Sequence, residues 1–407
     1  MTTPSPPTSR NGDGGSASEN DDVVYLDHGA STPMYPEALE VMTGWLGRLR
    51  GNPSGAHRLA REARRTLDDA RDLLAEGLGC GPGDVVFTSG GTEADNLAIF
   101  GSAGVGPDGV RSLVACSAAE HHAVLEPVTH MGGLVLAVDR LGRLDVDALR
   151  DTLPTQVGLV SAMLVNNEVG VINPVADIVE VVRSRTAGTA LVHVDAVAAF
   201  PWLDVGAATA SADLLSISAH KFGGPPGVGV LVVRPGVPLR ARLLGGGQER
   251  DRRSGTQNVA GVAAMAEAAR LTVARQAATV ARVTALRDRL VDEVQAQLPG
   301  VTETVADRSV KVAGNAHLCV QGVVSEELLF VLDRHGVAVS VGSSCASGAT
   351  QLSHVLAAMG LDRQQGAGAL RCTLGWSTTD AHIDRAVAAL VHSVRTLRSA
   401  ALVPGAP

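Results

Sequence analysis

Four short stretches combine residue types that could do chemistry. A lysine closes the run Leu214-Leu-Ser-Ile-Ser218-Ala-His220-Lys221, and Phe-Gly-Gly-Pro-Pro-Gly follows it. An amine held at a strand end among apolar side chains binds its proton less tightly, and the free amine is the form that makes a Schiff base. The plainer reading is a lysine that reaches solvent from a loop. In Leu191-Val-His-Val-Asp195 an apolar strand delivers a carboxylate at its carboxyl end. Once buried, that group needs a cationic partner, either a basic group of the protein or the protonated nitrogen of a cofactor. The stretch Val85-Val-Phe-Thr-Ser-Gly-Gly91-Thr92-Glu-Ala-Asp-Asn96 reads as strand, glycine turn and helix start. Its free N–H groups and positive helix end suit a phosphate. An ordinary strand-to-helix loop with Thr92 as N-cap would look the same. Lastly, Gly342-Ser-Ser-Cys345-Ala-Ser-Gly sets a thiol among small residues rather than large apolar ones. That is the setting of an accessible nucleophile, or of a loop cysteine with no role.

These stretches need a scaffold, and the chain reads as an alternation of strands and helices. Short Val, Leu and Ile runs at Val85–Thr88, Ser112–Cys116, Leu134–Ala137, Leu159–Leu164, Leu191–Val194, Leu214–Ile217 and Val228–Val233 predict the strands of an α/β sheet buried on both faces. The last two runs are close together, which predicts an antiparallel pair. Helices are expected over 37–49 and 57–78, and one long or two consecutive helices over 259–298 as a bridge between domains. A smaller α+β region follows, with strands near Ala316–Val320, Val337–Ser340 and Leu370–Thr373. The strand ends are where open α/β sheets bind ligands, and the four stretches are expected at the ends of predicted strands.

Composition narrows the possible functions. With 407 residues, 45% of them hydrophobic, two domains are expected. Aromatic residues make up 2%, and 34 basic residues face 42 acidic ones for a net charge of −8, which disfavours a nucleic-acid partner. The apolar runs are too short for a membrane span, so a soluble protein is expected. Five widely spaced cysteines without a C-x-x-C pair fit a reduced, cytoplasmic setting. The polar first 22 residues read as a disordered tail without the apolar stretch of a secretory signal. Gly104-Val-Gly-Pro-Asp-Gly109 fits G-x-G-x-x-G literally but follows a helix rather than a strand, so no dinucleotide site is expected. No His or Cys stands at metal-ligand spacing, and no metal is expected.

Taken in order, the motifs resemble the cysteine desulfurases of the NifS-like group, pyridoxal-phosphate enzymes of fold type I in the class V aminotransferase superfamily. They are Tyr25-Leu-Asp-His-Gly-Ala-Ser-Thr-Pro, Gly51-Asn-Pro-Ser, Phe87-Thr-Ser-Gly-Gly-Thr-Glu-Ala-Asp-Asn, Glu120-His121, Val165-Asn-Asn-Glu-Val-Gly170, His193-Val-Asp195-Ala, Ser218-Ala-His-Lys221, Gly245-Gly-Gly-Gln-Glu-Arg, Arg253-Ser-Gly-Thr256 and Gly342-Ser-Ser-Cys345. The resemblance covers the chain from Tyr25 to about Asp384.

It implies a large cofactor-binding domain over 34–275 with a mostly parallel seven-stranded sheet. Residues 23–33 and 276–400 would form a smaller α+β domain that carries the cysteine loop, leaving 1–22 as the tail. Lys221 would form the Schiff base with pyridoxal 5'-phosphate and then shuttle protons. Asp195 would pair with the pyridinium nitrogen, His121 would lie over the ring, and Asn167 would sit beside the phenolic oxygen and the substrate. Gly91, Thr92, Ser218 and His220 would hold the phosphate, with Thr256 reaching it from the partner subunit of a homodimer. Arg371 would bind the carboxylate of L-cysteine, and Cys345 would take the sulfur as a persulfide for an acceptor protein, leaving L-alanine. Two positions depart from the family pattern. Ala198 stands where a glutamine usually contacts the phenolic oxygen, and Trp376 replaces the arginine of Leu-Gly-Arg, near the substrate entrance. They motivate a second expectation, a lyase that cleaves the C–S bond of another amino acid or acts on selenocysteine. A third is a degenerate homologue that serves as a binding partner.

Overall fold

The computed structural model describes residues 23–47, 51–102, 112–342 and 352–401. The sheet forecast from the apolar runs is present. Its strands are β2 (Val85–Thr88), β3 (Leu113–Ser117), β4 (Leu134–Leu136), β5 (Val157–Ser161), β6 (Leu191–Asp195), β7 (Leu214–Ser218) and β8 (Gly229–Val233), with β1 (Val24–Tyr25) lying elsewhere. They run in the order β2-β8-β7-β6-β5-β3-β4. All neighbours are parallel except β8, which is antiparallel to both β7 and β2. Strands β2, β7 and β8 are buried at every position, which explains why they read as unbroken apolar runs. The run expected at Leu159–Leu164 is paired two residues earlier and ends at Ser161. Beyond it Ala162 and Leu164 still donate to the carbonyls of His193 and Asp195, so the chain follows β6 down to its end.

Strands β9 (Val301–Glu303), β10 (Asn315–Val320), β11 (Val337–Ala338) and β12 (Ala369–Thr373) complete the set. β10 lies between β12 and β9, antiparallel to both, and β1 pairs in parallel with β11. One uninterrupted helix of 39 residues, Val259–Gln297, replaces the one-or-two alternative. Its first part, through Leu271, packs into the core around the seven-stranded sheet, and its part from Val283 to Val294 into the core around β10 and β12. The Gly51–His57 turn ends with His57 capping the helix Arg58–Gly77, where its Nδ1 accepts from Ala60 N–H at 3.3 Å. No described helix is long and apolar enough to cross a membrane. The expected tail at 1–22, the Gly104–Gly109 segment and Cys345 lie outside the described residues.

Candidate active site

Three of the four chemical stretches meet at the carboxyl ends of β2, β6 and β7. The helix Gly91–Ser102 begins directly after the Ser89–Gly90 turn, so Thr92 is within its first turn rather than its N-cap. Gly90 has φ 148, outside the range open to side chains. A Cβ on Gly91 would come 2.8 Å from Val197 and 3.5 Å from the Ser218 Cβ. The cradle of Gly91, Thr92 and Ser218 is therefore closed against the residues just beyond Asp195. Glu93 fastens it from outside, accepting from Ser89 N–H at 2.8 Å and pairing through both oxygens with Arg253 at 2.8 and 3.1 Å. Thr256, three residues further on, is exposed.

Lys221 ends a one-turn 3-10 helix after β7. Its Nζ donates to the carbonyls of Gly29 at 2.5 Å and Ala30 at 3.0 Å. Thr32 closes the same strap, with its N–H on the His220 carbonyl at 2.8 Å and its hydroxyl on the Lys221 carbonyl at 3.0 Å. Burial, helped by the nearby Arg371 charge, brings the Lys221 pKa down to about 8. The alternative of a solvent-directed lysine is thus set aside. His220 is likewise brought down to about 4 by burial and the neighbouring Lys221.

Asp195 is 5% exposed and accepts from Val197 N–H at 2.8 Å. Burial raises its pKa, because none of the described cations stands within ion-pair distance. Behind it lies a polar layer whose residues fall within the sequence motifs but carried no expected role. Asp95 and Glu120 are both buried with pKa values raised, first by burial and then by the charge of Asp195. His193 is fixed between Ser161 at 2.8 Å and Ser216 at 2.9 Å, and burial brings it to about 3. A buried carboxylate with these neighbours is suited to a cationic guest, and the pyridinium nitrogen is such a group.

His121 caps the helix His122–His130, its Nδ1 accepting from Ala123 N–H at 3.1 Å. Burial and the Lys221 charge bring its pKa to about 4, so the ring is neutral with its proton on Nε2. Arg371 on β12 is 4% exposed. One of its terminal nitrogens donates to Asp27 Oδ1 at 3.0 Å and the other to the Asn167 carbonyl at 3.1 Å, while Nε has no partner among the described residues. Lys221, Asn167 and Ala198 line one cleft together with Trp376 and Tyr35. The Trp376 ring lies 4.8 Å from that of Tyr35, and its Nε1 donates to the Pro33 carbonyl at 3.0 Å, which fixes the ring as a wall of the cleft.

Asp27 and the strap from Gly29 to Thr32 lie in a motif that the sequence offered, but no role was read for them there. Their signal was available as polar and small residues directly after an apolar run. Burial pushes up the thiols of Cys80, Cys319 and Cys372, Cys80 to about 11 and Cys372 to about 12, and that of Cys116 further still, so the described cysteines are poor nucleophiles. Among the described residues no group of three His, Cys, Asp or Glu is arranged to hold a metal.

A half-buried lysine with a lowered pKa and a buried aspartate at adjacent strand ends, beside a glycine cradle at a helix start, define an enzyme built around a phosphorylated cofactor with an electron-poor ring. The chain belongs to the aminotransferase class-V family, whose model matches residues 24–386. It is 42% identical over 392 residues to an IscS-like cysteine desulfurase of Mycobacterium tuberculosis, covering 93% of this chain and 98% of that one. Among solved structures it is similar to a NifS-like protein, with 31% identity, a TM-score of 0.85 and coverage of 92% of this chain and 100% of the other. It is also similar to SspA in complex with cysteine, with 26% identity, a TM-score of 0.75 and coverage of 86% and 98%. Pyridoxal phosphate is the cofactor of this family, and the cradle, the amine and the unpaired buried carboxylate fit it.

Proposed function

We propose that the protein is a pyridoxal-phosphate-dependent cysteine desulfurase that converts L-cysteine to L-alanine and passes the sulfur on as an enzyme persulfide. The observation that carries this reading is a cleft lined by Lys221 and Asn167, with Arg371 bonded to the Asn167 carbonyl and the charges of Arg371 and Asp195 acting on Lys221 and those of Lys221 and Arg371 on His121, in a chain alike over nearly its whole length to named desulfurases. Gly91, Thr92, Ser218 and His220 would hold the phosphate, Asp195 the ring nitrogen, and Lys221 the aldehyde carbon. Bound there, the cofactor supplies an electron sink that stabilises negative charge on the carbon beside the substrate amino group.

The chain's own residues would do the rest. The Lys221 amine, poised near 8, gives up and regains a proton at the pH of the cell. Neutral His121 offers the proton on Nε2 to the substrate side of the cleft. Arg371 has N–H groups left after Asp27 and Asn167 have taken theirs, and these hold the substrate carboxylate. The Cys345 thiol attacks the substrate sulfur. A sulfur–sulfur bond forms, the carbon–sulfur bond breaks, and the two thiol protons end on the alanine methyl group and the persulfide.

The exposure of Thr256 and the anchoring of its loop by Arg253 support a homodimer in which Thr256 reaches the partner's phosphate. The packing of β1 on β11 supports a smaller domain of 23–33 with 276–400 beside a larger one of 34–275. A sulfur-acceptor protein and a cytoplasmic location complete the reading. The test is to give the holoenzyme L-cysteine with a thiol reductant and measure alanine and sulfide, beside Cys345→Ala. Equimolar alanine and sulfide that vanish with Cys345→Ala are expected. Alanine formed at the wild-type rate without Cys345 would favour the direct lyase, and no turnover at all the degenerate homologue.

A further inference from the structure

The turn that presents Asn167 is held from several sides. Asn166 Oδ1 accepts from the N–H groups of Glu168 and Val169, both at 2.9 Å, and its Nδ2 donates to the Ala119 carbonyl at 2.9 Å. Asn315 Nδ2 donates to the Glu168 carbonyl at 2.9 Å. The same Asn315 covers Gly170, at φ 79, where a Cβ would stand 2.5 Å from the Asn315 Cβ. The Glu168 side chain, 1% exposed as a residue, thus departs from a fixed backbone.

Its carboxylate meets two segments remote in sequence. Oε2 accepts from the Ser353 hydroxyl at 2.7 Å. Oε1 stands so close to Gly342 that a Cβ there would come 2.5 Å from it. Ser353 in turn caps the helix His354–Ala358 by accepting from Val355 N–H at 3.1 Å. His354 Nε2 then joins that helix to the Glu120 carbonyl at 2.9 Å, next to His121. Nearby His317 lies 3.8 Å from Oε1, but burial and the charges of Lys311 and Arg371 bring it to about 3, so it is neutral and adds no opposite charge. A buried carboxylate is a costly filler where an apolar side chain would serve, so the contacts it makes account for its presence.

Gly342 and Ser353 border, one on each side, the segment that contains Cys345. We propose that Glu168 is a positioning residue that ties the described borders of the segment over 343–351 to the turn presenting Asn167, Ser353 by a hydrogen bond and Gly342 by close fit. The role assigned to the thiol rests on the desulfurase reading. The fastening itself does not.

The test uses full-length holoenzyme as wild type, Glu168→Ala, Glu168→Gln, Gly342→Ala and Ser353→Ala. Persulfide on Cys345 is followed in a single turnover by alkylation and mass spectrometry, and hydrogen exchange of the peptides over 337–342 and 353–358 is measured without L-cysteine. Glu168→Ala is expected to slow persulfide formation about ten-fold or more, with the cofactor absorbance and the KM for L-cysteine within about two-fold of wild type. Glu168→Gln keeps an acceptor for Ser353 and recovers most of the rate. Gly342→Ala slows the step on its own, yet adds nothing to Glu168→Ala, because the methyl group then enters vacated space. Exchange rises at both borders in Glu168→Ala and at the second in Ser353→Ala. Unchanged persulfide formation in Glu168→Ala overturns the proposal. So does a loss matched by falling cofactor content while Ser353→Ala keeps the full rate. If wild type makes no persulfide, the desulfurase reading falls and exchange alone decides the fastening, which stands if both borders loosen and fails if neither does.

Discussion

Only two of the 34 basic residues are lysines, Lys221 and Lys311, and the contrast between them shows what makes a lysine reactive. Lys311 is buried and Lys221 half-buried, and both have lowered pKa values, with burial as the first cause. Lys311 meets Glu303 at 2.9 Å, a full negative charge that offsets much of the desolvation. Among the described residues Lys221 donates to the carbonyls of Gly29 and Ala30 and has no carboxylate within ion-pair distance, while the like charge of Arg371 nearby outweighs each of the opposite charges of Asp195 and Asp27. Burial alone therefore does not make an amine into a nucleophile. What faces it decides the matter, and dipoles hold a proton less firmly than a carboxylate does.

Three measurements press on that contrast. Lys221→Ala is expected to lower kcat for alanine formation by about a thousand-fold or more while leaving the melting temperature close to wild type. Lys311→Ala should do the reverse. It leaves Glu303 buried with Arg308 as its remaining cation, costing about 3 kcal/mol in denaturant titration, with kcat at 25 °C little changed. Comparable loss of kcat in both variants would remove the distinction. The smallest effect concerns pH. In cofactor-free protein the Lys221 pKa is about 8 when folded against 10.5 when unfolded, so the unfolded chain binds more protons in between. Stability should then rise as pH climbs through that window, by at most about 3 kcal/mol, and Lys221→Met should abolish the increment. A rise of equal size in Lys221→Met would assign it to other groups.

The parts of the fold that were legible share a physical cause. Strands buried on both faces leave continuous Val, Leu and Ile runs, and Lys221 and Asp195 stood out because a charge ends such a run. β9 was not legible: three residues with an exposed middle position carry no period, although its Glu303 holds Lys311. The flanking Val310 and Val312 could have marked Lys311 as buried, but its partner sits on another strand. Thr92 followed the cap rule and was displaced by two residues, since Gly91 already opens the helix and Gly90 precedes it. Asp95, Glu120 and Glu168 gain their meaning from segments tens to hundreds of residues away, and no local spacing encodes that. The resemblance to a family located the motifs, while the layer behind Asp195 required coordinates.

The strap over Lys221 has a consequence for how the protein comes into being. Residues 27–30 supply the carbonyls that receive the Lys221 amine and the carboxylate that receives Arg371, yet they are set in place by β1 pairing with β11 and by Asp27 bridging to Thr373. Those partners leave the ribosome about 310–350 residues later, roughly 15–70 s at about 5–20 residues per second. During that interval the nascent chain can fold the large sheet with its lysine in place but without the roof over it. Maturation of the cleft is thus a late event, timed by the arrival of the carboxyl-terminal strands.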